Sequence, residues 1–191
     1  MDQKKKLIFI HNPKTAGLSI VTELGFNDKF NKKFNHATVK EAKDYIFQDT
    51  WQEYYSMSFV RNPWDRMVSL YTYHRSVEYG LFSKFNASHA LARDYDFQEW
   101  LRISLSGTKR PNWFGIPQAE WVRDVTDVSM FEKYDMEMER ICTKFSIPYA
   151  RTARNASERR HYSEYYDRKD LIAAVGQIDA EIVNRFGYTF D

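Results

Sequence analysis

The sequence predicts an α/β fold with a central, mainly parallel sheet flanked by helices. Three observations carry that expectation. Short apolar runs at Leu7–Ile10 and Tyr55–Val60 each stop at a Pro-containing turn and feed an amphipathic segment. A third run, 128–131, precedes another helical pattern. Strands that alternate with helices build parallel sheets, because each parallel pairing needs a crossover.

Leu7-Ile8-Phe9-Ile10 is apolar throughout and reads as a strand buried on both faces. His11-Asn12-Pro13-Lys14-Thr15-Ala16-Gly17 breaks it, and 18–24 reads as the start of a helix. A second helix is expected over 39–47, where Val39, Ala42, Tyr45 and Ile46 share a face. After the Tyr55–Val60 strand, Asn62 can cap a helix with Pro63 in its first turn and Trp64, Met67, Val68, Leu70 and Tyr71 on its apolar face. The aromatic stretch 77–96 has no clear period. Asp96 with Glu99 forms a capping-box pattern opening a helix through Leu105, and 106–117 is loop, rich in Gly, Pro and Asn. A helix over 135–145 follows the third strand. The last helix, 168–186, carries Leu171, Ile172, Val175, Ile178, Ile182 and Phe186 at helical spacing.

Composition narrows the function classes. With 191 residues and 43% hydrophobic content, the chain can bury roughly 70% of its unfolded surface in one domain without disulfides. Cys142 is the single cysteine; set in a helical pattern, it reads as a core thiol, and a multi-cysteine zinc site is excluded. No apolar run approaches the roughly 18 residues of a membrane span, and 7–10 is too short for a signal peptide. The chain therefore reads as cytoplasmic, or as part of a protein whose anchor lies elsewhere. A net charge of +2 does not argue for nucleic acid as the partner. Clusters at Lys4–Lys6, Lys32 and Lys33, and Arg151, Arg154, Arg159 and Arg160 leave room for a local anion site.

The loop after the first strand is the first candidate. A strand entering a helix through a Gly-containing turn presents backbone N–H groups to an anion. Here Lys14 adds a charge, Thr15 and Ser19 add hydroxyls, and Gly17 permits close backbone approach. The nucleoside-triphosphate signature is absent, since Lys14 precedes the glycine and no Gly-Lys-Ser/Thr follows. Arg61 stands at the carboxyl end of the second strand, where α/β sheets bind ligands, and Ser69 lies two turns into the next helix. Arg61 and Ser69 could converge on a second phosphate. Taken alone, the same segment reads as a local Asp65–Arg66 surface pair.

Together these segments resemble the sulfotransferases that use 3′-phosphoadenosine 5′-phosphosulfate (PAPS). Asn12-Pro13-Lys14-Thr15-Ala16-Gly17-Leu18-Ser19 is similar to their 5′-phosphosulfate loop, and Arg61 through Ser69 to their 3′-phosphate motif. The likeness is nearest to the carbohydrate branch, which includes the heparan sulfate 2-O- and 6-O-sulfotransferases. It extends to the Phe186-Gly187-Tyr188-Thr189-Phe190 ending. The resemblance implies a P-loop-like three-layer fold, a single sulfotransferase-like domain over 1–191, PAPS as donor, PAP as product and no metal. It assigns donor contacts to Lys14, Thr15, Ala16, Gly17, Leu18, Ser19, Arg61 and Ser69, and extends them to Ser157 in Asn155-Ala156-Ser157-Glu158-Arg159-Arg160. Leu18 departs from the pattern: many members carry Thr or Ser there.

Sulfuryl transfer needs a base for the acceptor hydroxyl and a cation for the leaving phosphate. The resemblance gives the cation to Lys14. Of the five histidines, His36 is the expected base, because Asn35-His36-Ala37 is similar to the segment carrying the base in the 6-O branch. Its ordinary pKa near 6.5 suits that work. His11 is the alternative, although its strand-end position favours a structural hydrogen bond. His74 could approach the acceptor, His161 reads as structural, and His89 has no assignment. The expected acceptor is a hydroxyl, of a carbohydrate in the first instance, bound near the aromatic stretch 71–113. Competing readings are an ATP-dependent kinase, which would require magnesium, and a non-catalytic nucleotide-binding module.

Overall fold

The structure is a computed structural model that describes residues 1–26, 35–44, 50–76, 86–109, 111–149 and 159–190. In chain order the described elements are β1 (Leu7–Ile10), α1 (Gly17–Glu23), α2 (Val39–Ala42), β2 (Tyr55–Val60), α3 (Pro63–Ser76), α4 (Asn86–Asp94), α5 (Phe97–Ser106), β3 (Asp127–Met130), α6 (Tyr134–Lys144), α7 (Lys169–Ile178) and α8 (Ala180–Phe186). Short 3₁₀ turns occur at Trp51–Glu53, Gln118–Trp121, Phe131–Lys133 and Tyr162–Tyr165. The chain divides into two compact units, Met1–Arg61 with Gln118–Asn155, and Asn62–Pro117 with Ala156–Asp191.

The first unit holds the sheet, in the order β1-β2-β3 with both pairings parallel. Leu7 pairs with Tyr55 and Ile10 with Ser58, while Met57 pairs with Asp127 and Val60 with Met130. Every residue of β1 is buried, so this strand lacks the alternation of a half-exposed one. One face of the sheet presents Leu7, Phe9, Met57 and Phe59 to Ile20 and Val21 of α1 and to Tyr134, Met138, Ile141 and Cys142 of α6. Each such aliphatic or phenyl side chain contributes roughly 1.5–3 kcal/mol on burial. Cys142 lies in this core, and burial pushes its thiol pKa up, which keeps it an unreactive thiol. The buried serines of β2 are satisfied locally: Ser58 donates to the Ile10 carbonyl at 2.9 Å, and the Ser56 and Thr126 hydroxyls meet at 3.2 Å.

The second unit is helical among its described residues. Asn62 caps α3 as expected, its Oδ1 accepting from the backbone of Trp64 at 3.1 Å and Asp65 at 3.2 Å. Asp96 accepts from Glu99 N at the start of α5, but the reciprocal half of the capping box is replaced by ion pairing of the Glu99 carboxylate with Arg102. Gly107, with φ 79°, closes that helix in the left-handed conformation.

Two expectations are corrected here, and two more are resolved in part. The helix over 168–186 is two helices, α7 and α8, broken at Asp179, whose buried carboxylate faces the buried Arg66 guanidinium at 3.7 Å. The Asp65–Arg66 surface pair does not form: Arg66 is committed to Asp179, and Asp65 pairs instead with Arg159. The unplaced middle stretch contains α4 at Asn86–Asp94, while 77–85 lie outside the described residues. The helix expected over 39–47 is α-helical at Val39–Ala42, and its positions 45–47 likewise lie outside them.

Candidate functional site

Lys14, Arg61, His11 and His36 come together in the first unit, at the carboxyl ends of β1 and β2. Between β1 and α1, Lys14 has φ 70° and Ala16 φ 63°, left-handed conformations that cost an L-residue roughly 1–2 kcal/mol each. The surrounding bonds hold this shape. The Thr15 hydroxyl donates to the Asn12 carbonyl at 2.8 Å, and the Arg61 guanidinium donates to the Lys14 carbonyl at 2.9 Å. Thr15 is fully buried, so its hydroxyl proton serves the loop. Ser19 is half-buried on α1, and Leu18 beside it is 74% exposed.

Arg61 is buried and lies over the Phe131 ring, with 4.2 Å from its guanidinium carbon to the ring centroid. A desolvated guanidinium stacked on an aromatic face is worth about 2 kcal/mol or more. The side chain is thus held between an aromatic face and the Lys14 carbonyl, close beneath the loop.

The histidine pair is closely packed. The His11 and His36 ring centroids are 4.0 Å apart, and the His36 Nδ1–H donates to the His11 carbonyl at 3.2 Å. A carbonyl oxygen only accepts, so this bond fixes the neutral His36 tautomer with Nε2 as the basic nitrogen. The His36 backbone has φ 68°, and its carbonyl accepts from the Trp121 indole at 2.9 Å. The His11 Nδ1–H in turn donates to Asn35 Oδ1 at 2.7 Å, the structural hydrogen bond expected of it. Burial, the neighbouring His36 and Lys14 lower the His11 pKa to about 3 against the opposing Asn35 bond, so His11 stays neutral at ordinary pH.

Gly17 has a role that the sequence reading did not foresee. A Cβ there would sit 1.8 Å from His11 Nε2, so the space the glycine leaves is occupied by the imidazole. Two further residues, Gln118 and Trp121, had no functional reading from sequence, and Asn12 had one only as part of the loop motif. Gln118 accepts from Asn12 Nδ2 and from Arg61 N, both at 3.0 Å, and donates to the Arg61 carbonyl at 2.8 Å. The only sequence signal was an amide set beside Pro117 and Ala119 in a run ending in Trp121 and Val122.

The remaining candidates lie elsewhere. Ser69 is half-buried on α3, in the second unit. His74 and His89 are fully buried in that unit, with His89 Nδ1–H donating to the His74 carbonyl at 3.0 Å and Trp113 stacked over His74. His74, which the sequence left open as a residue near the acceptor, is fully buried. His161 is exposed and bonds the Ser163 hydroxyl at 2.8 Å. Ser157 lies outside the described residues. Among the described residues no helix is long and apolar enough to cross a membrane, and no cluster of three or more His, Cys, Asp or Glu could hold a metal ion.

The loop after β1, the buried Arg61 at the end of β2 and the His11–His36 pair thus lie together in the first unit. The sulfotransferase family matches over residues 1–169, and the chain belongs to that family. No curated protein and no solved structure matches it.

Proposed function

We propose that the protein transfers the sulfuryl group of PAPS to a hydroxyl, in the first instance of a carbohydrate, with Lys14, Arg61 and His36 as its working residues. The observation that carries this reading is that all three lie in one unit, with Arg61 and His36 each bonded to the β1 end or the Lys14 loop. Arg61 donates to Lys14 O, and His36 donates to His11 O.

The donor supplies an activated sulfuryl group, and the chain's residues handle charge and protons around it. The Lys14 ammonium neutralises charge on the departing 5′-phosphate as the sulfur–oxygen bond breaks. His36 Nε2 takes the proton of the acceptor hydroxyl while its oxygen bonds to sulfur. Nδ1 stays anchored on the His11 carbonyl, so the imidazolium formed keeps its orientation. Arg61 serves the 3′-phosphate. Residues 15–19 line the 5′-phosphosulfate through backbone groups and the Ser19 hydroxyl. The site meets the donor's charge with Lys14 and Arg61 and calls for no metal ion.

Calorimetry without magnesium tests the reading, comparing PAP with ADP and ATP on the wild type and on Arg61→Ala. The expected result is a preference for PAP of about tenfold or more, equivalent to about 1.4 kcal/mol, which the variant loses. Equal or tighter binding of ATP would overturn the assignment and reopen the kinase reading.

A further inference from the structure

Gln118 is fully buried, at 0% exposure, at the head of the Gln118–Trp121 turn. A buried amide costs free energy unless its polar atoms are bonded, and a Met of similar volume would avoid that cost. Here both faces of the amide are used on the same neighbour. Oε1 accepts from Arg61 N at 3.0 Å, and Nε2 donates to Arg61 O at 2.8 Å, so the side chain pairs with the Arg61 backbone as a further strand would. The same Oε1 accepts from Asn12 Nδ2 at 3.0 Å, and Asn12 Nδ2 also donates to the Phe59 carbonyl at 2.9 Å.

These bonds form a closed circuit. Asn12 opens the loop after β1; Gln118 joins it to Arg61 at the end of β2; the Arg61 guanidinium returns to the Lys14 carbonyl, two residues from Asn12. A circuit of this kind fixes the separation of two groups more firmly than a single contact, because each bond holds the geometry of the next. Both halves of the proposed donor site are carried on it, one charge at Lys14 and one at Arg61.

We propose that Gln118 is a positioning residue that sets the span between the Lys14 loop and Arg61, and so selects nucleotides whose two phosphates match that span. The inference rests on the donor reading given above. It makes Gln118 matter far more for a ligand that engages both charges at once than for a ligand that engages one.

The test compares PAP, which carries two phosphates, with 5′-AMP, which carries one, on wild type and Gln118→Met. Titrations are read alongside thermal unfolding. The expected result is that PAP weakens about tenfold or more while 5′-AMP weakens less than about threefold. Equal weakening of both ligands would make Gln118 a merely structural residue, and unchanged PAP binding would make the circuit irrelevant; either overturns the inference. Should Gln118→Met fail to fold, Asn12→Ala cuts the circuit on its other side and is read by the same ratio. A wild type without preference for PAP overturns the donor reading itself, and that outcome is visible before any variant is compared.

Discussion

Two histidine pairs in this protein are built alike and placed differently. In the first unit, His36 donates through Nδ1 to the carbonyl of His11; in the second, His89 donates through Nδ1 to the carbonyl of His74. The ring centroids are 4.0 and 5.2 Å apart, respectively. Both bonds place a hydrogen on Nδ1. The first pair, however, is only partly buried, at a strand end beside Lys14, whereas the second is fully buried among aromatic rings that include Tyr73 and Trp113. Such a bond is therefore not by itself a sign of catalysis. Access to solvent and a neighbouring cation separate the pair proposed to move a proton from the pair that fills a core.

The sharpest way to break that contrast is to truncate one member of each. His36→Ala is expected to lower turnover about 10²–10⁴-fold with PAP binding retained. His74→Ala is expected to cost about 2–3 kcal/mol of stability, with turnover per folded molecule within about twofold of wild type. Steady-state kinetics with denaturant unfolding on both variants reads the two effects separately. Undiminished turnover in His36→Ala would remove it as the base, and lost turnover in a folded His74→Ala would exchange the roles of the pairs.

The sequence was most informative where chemistry and fold shared one local signal. The apolar runs, the Pro-containing turns and the Asn62 cap place β1 and β2 at their observed bounds and start α3 at Pro63, because each depends on contiguous residues. Lys14, Arg61 and His36, the residues of the proposed site, likewise each lie in a short recognisable segment. Asp179 was not: its helix carries an unbroken apolar period, and the buried residue at the break pairs with Arg66, more than a hundred positions earlier. Gln118 escaped notice similarly, since its partners Asn12 and Arg61 are distant in sequence and amides in loops are commonplace. Asp65 and Arg66, adjacent and opposite in charge, invited a local pairing that burial of Arg66 overrides.

The first pair also leans on a glycine, which gives a smaller test of how closely it is packed. Gly17→Ala would place a Cβ 1.8 Å from His11 Nε2, so the imidazole must leave its place against His36. Overpacking of this kind costs about 1–3 kcal/mol, and turnover is expected to fall about tenfold or more with it. Gly25→Ala is the matched control. Gly25 has φ 63° with nothing within 4 Å of its added Cβ, so only backbone strain of about 1 kcal/mol is expected, with turnover kept. Equal turnover in both variants would mean that the His11 ring position is dispensable.

A further effect is a pH dependence that belongs to the first pair through His11. Its pKa is lowered to about 3, chiefly by burial and then by His36, against an ordinary value of 6.5. Above pH 6.5 the ring is neutral in both folded and unfolded chains, and its contribution to stability is complete. Between 6.5 and 3 the unfolded chain takes up a proton that the folded chain refuses, so stability falls as the pH falls. The slope is at most about 1.4 kcal/mol per pH unit, and less to the extent that the partly buried ring reaches solvent. Denaturant unfolding of wild type and His11→Gln from pH 7.5 to 4.5 reads this directly. The stability difference between them should shift against the wild type as the pH drops below 6.5. Parallel curves over that range would mean that His11 accepts a proton in the folded state, and the pair would then carry a charge beside Lys14 that its close packing argues against.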